Sequence, residues 1–219
     1  MLYVVWLPAD PGAASALVPE ELSAAEGSPV FMNQYVVDDA GQTSNADEAD
    51  GFGAYSLTYL GVDLAGLDTE AGTPARWWTH YFDSSQAMIR YAAEHGVPAS
   101  SGETTLELDG ETLVATSFVD ARPVIRTIAQ VDLGTPQHAT GQLRYVTRVG
   151  DELMSGRYPF VMESAERFEV TAIEFLDVEH PVSVLRPADP LQVTFGFYSP
   201  AISFCYPGGE GPLGSTHGS

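Results

Sequence analysis

Runs of β-branched, aromatic and other apolar residues, separated by turn signals, recur along the chain. This pattern is typical of many short antiparallel strands. It predicts strands near residues 2–7, 30–37, 52–62, 75–82, 104–108, 111–118, 122–133, 142–149, 159–178 in one or two pieces, 191–198 and 201–206. We therefore expect a mostly β fold with one or two short helices.

The clearest local prediction is a hairpin that turns at Asp109-Gly110. An Asp-Gly pair supplies the positive φ that a two-residue turn demands, so residues 104–108 should fold back on the next strand. Helix signals are few. They predict a short helix near residues 13–17 and a second from about 84 to 95, with Asp83 as its N-cap.

The 219 residues, of which 44% are hydrophobic, suit one sizeable core. We expect a single domain over residues 1–207, followed by a Gly- and Ser-rich flexible tail at 208–219. The acidic segment 38–50 lacks the regular acid spacing of a calcium loop, and we interpret it as a solvated loop.

The formal net charge of −21 constrains partners and location. Such a field repels phosphate backbones and anionic lipid headgroups, so we expect no nucleic-acid and no membrane partner. The apolar start of the chain has no basic lead-in and is broken at Pro8, which fits neither a signal peptide nor a membrane span. The simplest expectation is a cytoplasmic protein.

The chain contains no lysine: all nine basic residues are arginine. Adaptation to high salt and a GC-rich genome would each produce this composition, and the sequence does not separate them. The single cysteine, Cys205, excludes an internal disulfide. Its apolar neighbours predict a buried, inert thiol.

Several short motifs follow one another in a set order. They are Val-Pro-Glu-Glu-Leu at 18–22 after a short helix, Gly-Phe-Gly-Ala-Tyr at 51–55, Tyr-Phe-Asp at 81–83, and a hairpin ending in Val-Ala-Thr at 114–116. In this order they resemble the acetoacetate decarboxylase superfamily, in outline over residues 3 to 207. The segments 181–185 and 191–207 match that family in strand pattern more than in residues.

The resemblance implies a conical, mostly antiparallel β-barrel around an apolar pocket, commonly in a homo-oligomer. In that family, a lysine after the helix forms an imine with a ketone. Depending on the anchor, the paired lysines fall here on residues 93 and 94, Ala and Glu, or on 99 and 100, Ala and Ser. The two pocket glutamates fall on Asn33 and Leu57, and the arginine before the first strand has no counterpart. We therefore expect a pocket without Schiff-base chemistry.

The aromatic run at residues 77–82 supplies candidates for the pocket wall. On a regular strand Trp78, His80 and Phe82 share one face, whereas Trp77, Thr79 and Tyr81 share the other. His80 could act as a general acid or base, or be a structural histidine. Tyr81 could donate a hydrogen bond to a carbonyl or enolate, or simply pack in the core.

Other candidates lie on three further segments. Glu94 occupies one of the positions to which the resemblance assigns the paired lysines. Together with His95 it could transfer a proton, or it could be a charged residue on the surface. Arg122 and Arg126 share a strand face and could bind a carboxylate or stabilise an enolate if that face is inward. Asn33, Tyr35 and Tyr55 are candidate substrate contacts. The histidines do not have the spacing of metal ligands, so we expect no metal. The sequence has no Gly-rich nucleotide-binding loop, so we expect no cofactor.

These observations favour a cofactor-free lyase or isomerase acting on an apolar oxo, enol or polyene substrate. Cyclisation, dehydration or isomerisation would be run by shape and hydrogen bonding, in the setting of natural-product biosynthesis. The alternative is a small-molecule-binding protein that has lost the ancestral activity. A third interpretation, a hydrolase or retro-aldol lyase using a bound water, requires a better acid–base pair than these residues offer.

Overall fold

The structure is a computed structural model, and it describes residues 1–43, 51–205 and 208–214. Its elements, in chain order, are β1 (Leu2–Trp6), α1 (Pro11–Ser15), β2 (Val30–Val37), β3 (Tyr55–Asp63), β4 (Ala75–Asp83), α2 (Gln86–Glu94), β5 (Ala99–Ser101), β6 (Glu103–Asp109), β7 (Thr112–Val119), β8 (Arg122–Asp132), β9 (Gln137–Val149), β10 (Glu152–Ser164), β11 (Arg167–Phe175), β12 (Val193–Tyr198), β13 (Ala201–Phe204) and β14 (Gly208–Pro212). The expected mostly β class with two short helices is confirmed. No helix in the described part of the chain is long and apolar enough to cross a membrane.

The strands form two sheets. The large sheet runs β12-β1-β2-β3-β4-β9-β10-β13, with β14 added to β10 and β5 added to β4. It is mostly antiparallel, apart from the parallel pairs β4–β5 and β4–β9, and it curls into a half-barrel. The small sheet runs β11-β8-β7-β6. One apolar core lies between the two sheets, and a second core fills the concave side of the large sheet under α2.

The hairpin at Asp109-Gly110 is confirmed, with Gly110 at φ 59 and Asp109 opposite Thr112. Three local predictions need correction. The N-cap of α2 is Ser85, whose hydroxyl accepts from the amide of Met88; Asp83 instead accepts from the Ser85 amide. Cys205 is exposed, because it follows the last residue of β13. Residues 208–212, placed in the predicted tail, form β14.

Two predicted segments extend beyond the described residues. Of the acidic loop, residues 44–50 lie outside them, as do residues 215–219 of the tail.

A buried polar network joins the two sheets. Gln34 on β2 donates to the hydroxyl of Ser117 and accepts from that of Thr127, both at 2.8 Å. Thr58 on β3 lies 2.7 Å from the hydroxyls of Thr104 and Ser117. All of these side chains are buried, and such groups are costly unless they are paired. The network therefore fixes where the small sheet sits on the large one.

A β-bulge interrupts β4 and decides which residues face the concave side. Opposite β3, His80 pairs with Leu60 and Trp78 pairs with Gly61, which leaves Thr79 without a partner residue. A Cβ on Gly61 would overlap the backbone carbonyl oxygen of Trp77 and would lie 2.8 Å from the ring of Phe31. The bulge therefore requires glycine at this position.

The bulge makes the simple alternation predicted for residues 77–82 wrong. Trp78 and Tyr81 both lie in the concave core, whereas Phe82 lies in the core between the sheets. One extra residue in a strand reverses the faces of the residues that follow it.

Candidate functional site

The concave side of the large sheet contains a cavity of about 270 Å³. This volume is just below the range of about 300–1,000 Å³ that is usual for ligand pockets. Its wall is largely aromatic, with phenol rings from Tyr3, Tyr59, Tyr145 and Tyr158 and with Phe195 and Phe197 from β12. The cavity thus suits a small, apolar ligand.

Three polar side chains form a hydrogen-bonded series in this wall. The Asn33 amide donates to the Tyr59 hydroxyl oxygen at 2.8 Å, and that oxygen lies 2.9 Å from the hydroxyl oxygen of Tyr145. Hydrogen bonds strengthen one another when donors stand in series, so we assign Tyr59 as donor to Tyr145. The Tyr145 hydroxyl proton is then not used within this series; the neighbouring Tyr3 hydroxyl can accept it, and so can a ligand oxygen in the cavity.

The two phenols act as donors and not as bases. Burial raises the pKa of Tyr59 and raises that of Tyr145 well above its ordinary value. Both hydroxyls therefore keep their protons at neutral pH. An oxygen that gains negative charge beside them would be stabilised.

The cavity wall also contains a buried cation. Arg76 lies with its Nε atom 3.2 Å from Asp63 Oδ1, and the two side chains are only 4% and 7% exposed. The guanidinium carbon lies 5.2 Å from the ring centre of Tyr3 and 5.5 Å from that of Phe31. Burial raises the pKa of Asp63 to about 6, although the charge of Arg76 works in the opposite direction.

The five predicted substrate contacts are all buried on the concave side, but only Asn33 lines this cavity. Trp78 and Tyr81 form a layer beneath it. Trp78 stacks on Tyr145 with ring centres 4.1 Å apart, and Tyr81 stacks on Tyr59. Tyr35 and Tyr55 lie elsewhere in the same core, with hydroxyl oxygens 3.1 Å apart.

His80 does not line the cavity. Its ring lies beside Phe82 and His180, on the side of the large sheet that packs on the small sheet. Burial, with a smaller effect of His180, lowers the pKa of His80 to about 4. The bulge in β4 separates this imidazole from Trp78, so the prediction that the two share a face is wrong.

Glu94, Arg122 and Arg126 lie apart from the cavity. Glu94 is exposed at the last residue of α2. On β8, Arg122 pairs with Asp177 at 4.0 Å and Arg126 pairs with Glu174 at 3.6 Å. The arginine side chains are 70% and 42% exposed. Between them Ser117 pairs with Ile125 and Phe118 pairs with Pro123, which leaves Val124 as a bulge, so the prediction that the two arginines share a strand face is wrong.

Sequence reasoning missed Arg76, Asp63, Tyr59 and Tyr145. One signal for Arg76 was present: it stands two residues before Trp78 on a strand, and alternate residues share a face. Its partner lies on a neighbouring strand, and no local pattern joins the two.

Among the described residues there is no cluster of three or more His, Cys, Asp or Glu side chains that could hold a metal ion.

Several solved structures share this fold. An acetoacetate decarboxylase from Legionella pneumophila superposes with a TM-score of 0.66 at 13% identity, covering 97% of this chain and 84% of the other. The enduracididine biosynthesis enzyme MppR superposes with a TM-score of 0.62 at 14% identity, covering 97% of this chain and 85% of the other. An acetoacetate decarboxylase-like enzyme from Sphingomonas wittichii RW1 superposes with a TM-score of 0.56 at 16% identity, covering 97% of this chain and 89% of the other.

No protein-family model matches the sequence, and no curated protein matches it. The likeness is therefore one of structure, at low sequence identity and over nearly the whole chain. It agrees with the order of motifs, the curled sheet and the aromatic cavity on its concave side. The chain has the fold of acetoacetate decarboxylase and of the enzymes that resemble it.

Proposed function

We propose that this chain is a cofactor-free enzyme that binds a small apolar oxo, enol or polyene substrate in the aromatic cavity. The observation that carries the proposal is the Asn33–Tyr59–Tyr145 series, which ends in a hydroxyl donor inside an apolar wall. Such a donor polarises a carbonyl or stabilises an enolate oxygen. The reaction belongs to the lyase or isomerase type, and MppR supplies the precedent of this fold in a biosynthetic enzyme.

Imine formation on a lysine is excluded because the chain has none. The positions to which the resemblance assigns the paired lysines do not line the cavity. Ala93, Glu94 and Ser100 are exposed, and Ala99 is half-buried. The fold therefore has to act on its substrate in another way.

Cyclisation is the reaction type that fits the cavity best. Among the described residues its wall contains no carboxylate and no histidine side chain, so the protein offers donors but no side-chain base. A ring closure that is driven by shape and by polarisation of a carbonyl requires no proton abstraction by the protein. Dehydration and isomerisation would each require a base supplied by the substrate or by water.

The lack of a base also favours a second candidate, a small-molecule-binding protein without turnover. It would use the same aromatic wall and the same hydroxyl donor. Turnover of any substrate in the cavity separates the two functions.

The Tyr145→Phe variant tests the enzymatic proposal. We expect it to slow ring closure of short linear oxo-polyenes about a hundredfold, because the terminal hydroxyl donor is lost while the ring remains. The measurement is the loss of ultraviolet absorbance as the conjugated system shortens. Tyr198→Phe, on β12 and outside the cavity wall, should leave the rate unchanged.

An unaltered rate in Tyr145→Phe would contradict the assignment of the donor. If wild-type protein binds these compounds and closes no ring, the result supports the binding protein and overturns the enzyme.

Borohydride trapping tests the absence of imine chemistry. After incubation with a ketone such as 4-phenyl-2-butanone and borohydride, we expect the intact mass to be unchanged, with N-acetyllysine as the reactive control. The α-amine of Met1 donates to the Ser199 carbonyl oxygen at 2.7 Å, and burial lowers its pKa to about 5. A ketone adduct mapped to that amine would contradict the proposal.

A further inference from the structure

The guanidinium of Arg76 has unused hydrogen-bonding capacity at the cavity wall. Its Nη1 atom is buried and has no hydrogen-bond partner among the described residues. Its Nε atom faces Asp63 within ion-pair distance but without hydrogen-bond geometry. A buried, partly unsatisfied guanidinium is costly to the free protein and favours a ligand with an anionic oxygen.

Asn33 presents the complementary group. While its amide nitrogen donates to Tyr59, its Oδ1 atom is buried and has no partner among the described residues. Both Asn33 and Arg76 line the same cavity. A ligand that carries an anionic oxygen and an adjacent O–H or N–H group would satisfy both.

The charge balance of the site limits how such an anion can enter. Asp63 already compensates Arg76, so a bound carboxylate would place two anions beside one buried cation. The other ionisable groups near this pair are the phenols of Tyr3, Tyr59 and Tyr145, which stay neutral, and Asp68, whose charge also favours protonation of Asp63. Protonation of Asp63 removes the excess negative charge.

We propose that Arg76 anchors the carboxylate of a monoanionic, apolar ligand in the cavity, and that Asp63 takes up a proton as the ligand binds. The inference rests on the proposed function only in using the same cavity. The Tyr145 hydroxyl acts on the reacting oxygen, whereas Arg76 holds a different group of the ligand. Asp63 is a charge-balancing residue and does not touch the ligand.

Calorimetry with trans-cinnamate and its neutral analogue trans-cinnamamide tests the proposal. At neutral pH we expect the anion to bind at least about tenfold more tightly. The apparent enthalpy of cinnamate binding should vary with the ionisation enthalpy of the buffer and give an uptake approaching one proton per ligand. Cinnamate affinity should fall by up to about tenfold per pH unit above the pKa of Asp63 in the free protein, whereas cinnamamide affinity should be constant.

Three variants assign the effect to residues. Asp63→Asn should bind cinnamate without proton uptake and without pH dependence, since the compensating charge is already absent. The double variant Arg76→Met with Asp63→Asn, which leaves no unpaired buried charge, should lose the preference for cinnamate. Arg126→Met, on the surface of the small sheet, should behave as wild type.

Equal affinities for the two probes would overturn the carboxylate anchor, and buffer-independent cinnamate binding at neutral pH would overturn the proton uptake. Neither result depends on turnover, which the Tyr145→Phe assay measures separately. A failure of this inference is therefore distinguishable from a failure of the proposed function.

Discussion

Arg76→Met is expected to lower the free energy of unfolding by about 3–5 kcal/mol, because it leaves Asp63 as an unpaired charge in the core. Only 7% of the Asp63 side chain is exposed, and its charged partner is Arg76. Urea denaturation followed by tryptophan fluorescence gives the value directly. The same change at Arg126, which is 42% exposed and paired on the surface, should cost less than about 1 kcal/mol.

Removal of both members of the pair supplies the decisive comparison. Arg76→Met with Asp63→Leu should recover most of the loss, since apolar side chains of similar size can replace a buried ion pair with little change in stability. A double variant no more stable than Arg76→Met alone would show that the guanidinium stabilises the fold through packing on Tyr3 and Phe31 instead.

The pH dependence of the same proteins has a definite sign. The pKa of Asp63 is raised from 3.8 to about 6 in the folded protein. Its contribution to stability is therefore fully present below about pH 4 and is lost as the pH rises through about 6. In Arg76→Met the loss of the cation raises this pKa further, so the deficit relative to wild type should shrink as the pH falls.

Gly61→Ala is expected to destabilise the protein by about 3 kcal/mol or more, at the upper end of the cost of overpacking. The added methyl group would overlap the Trp77 carbonyl oxygen, which is backbone and cannot rotate away. Relief requires β3 and β4 to separate at the bulge, which would disturb the layer formed by Trp78 and Tyr81. Thermal unfolding by circular dichroism measures the effect.

Gly12→Ala is the matched control for Gly61→Ala. Its new Cβ would lie 3.3 Å from a side-chain oxygen of Asp10, in a short helix at the surface, so stability should change by less than about 1 kcal/mol. If Gly61→Ala unfolds no more readily than this control, the bulge tolerates a side chain and the steric account of it is wrong.

The parts of the fold that sequence predicted are those with local causes. Strands such as 30–37 and the turn at Asp109-Gly110 follow from residues adjacent in the chain. The bulge in β4 does not, since it depends on the fit of Gly61 against a neighbouring strand. A strand without the bulge would place His80 on the same face as Trp78. The bulge turns His80 to the other side of the sheet, and the imidazole therefore does not line the cavity.

The candidate site shows the same division. Asn33, which the resemblance puts at the place of a pocket glutamate, lies in the cavity wall on a regular strand, with Tyr3 opposite it on β1. Arg76 was missed because its burial depends on Asp63, across a strand pair and outside any local pattern. Arg122 and Arg126 do lie on one strand, but the sequence discloses neither the bulge at Val124 between them nor the exposure of both side chains.

The polar network centred on Gln34 has a consequence for how this protein can evolve. A shift of the small sheet by one residue along the large sheet would break the hydrogen bonds of Gln34 to Ser117 and Thr127 together. The packing of the two sheets behind the cavity therefore resists gradual change. The opposite wall includes Phe195 on the edge strand β12, where 55% of the side chain is exposed. Substitutions at that rim can alter ligand size while the buried network keeps the scaffold constant.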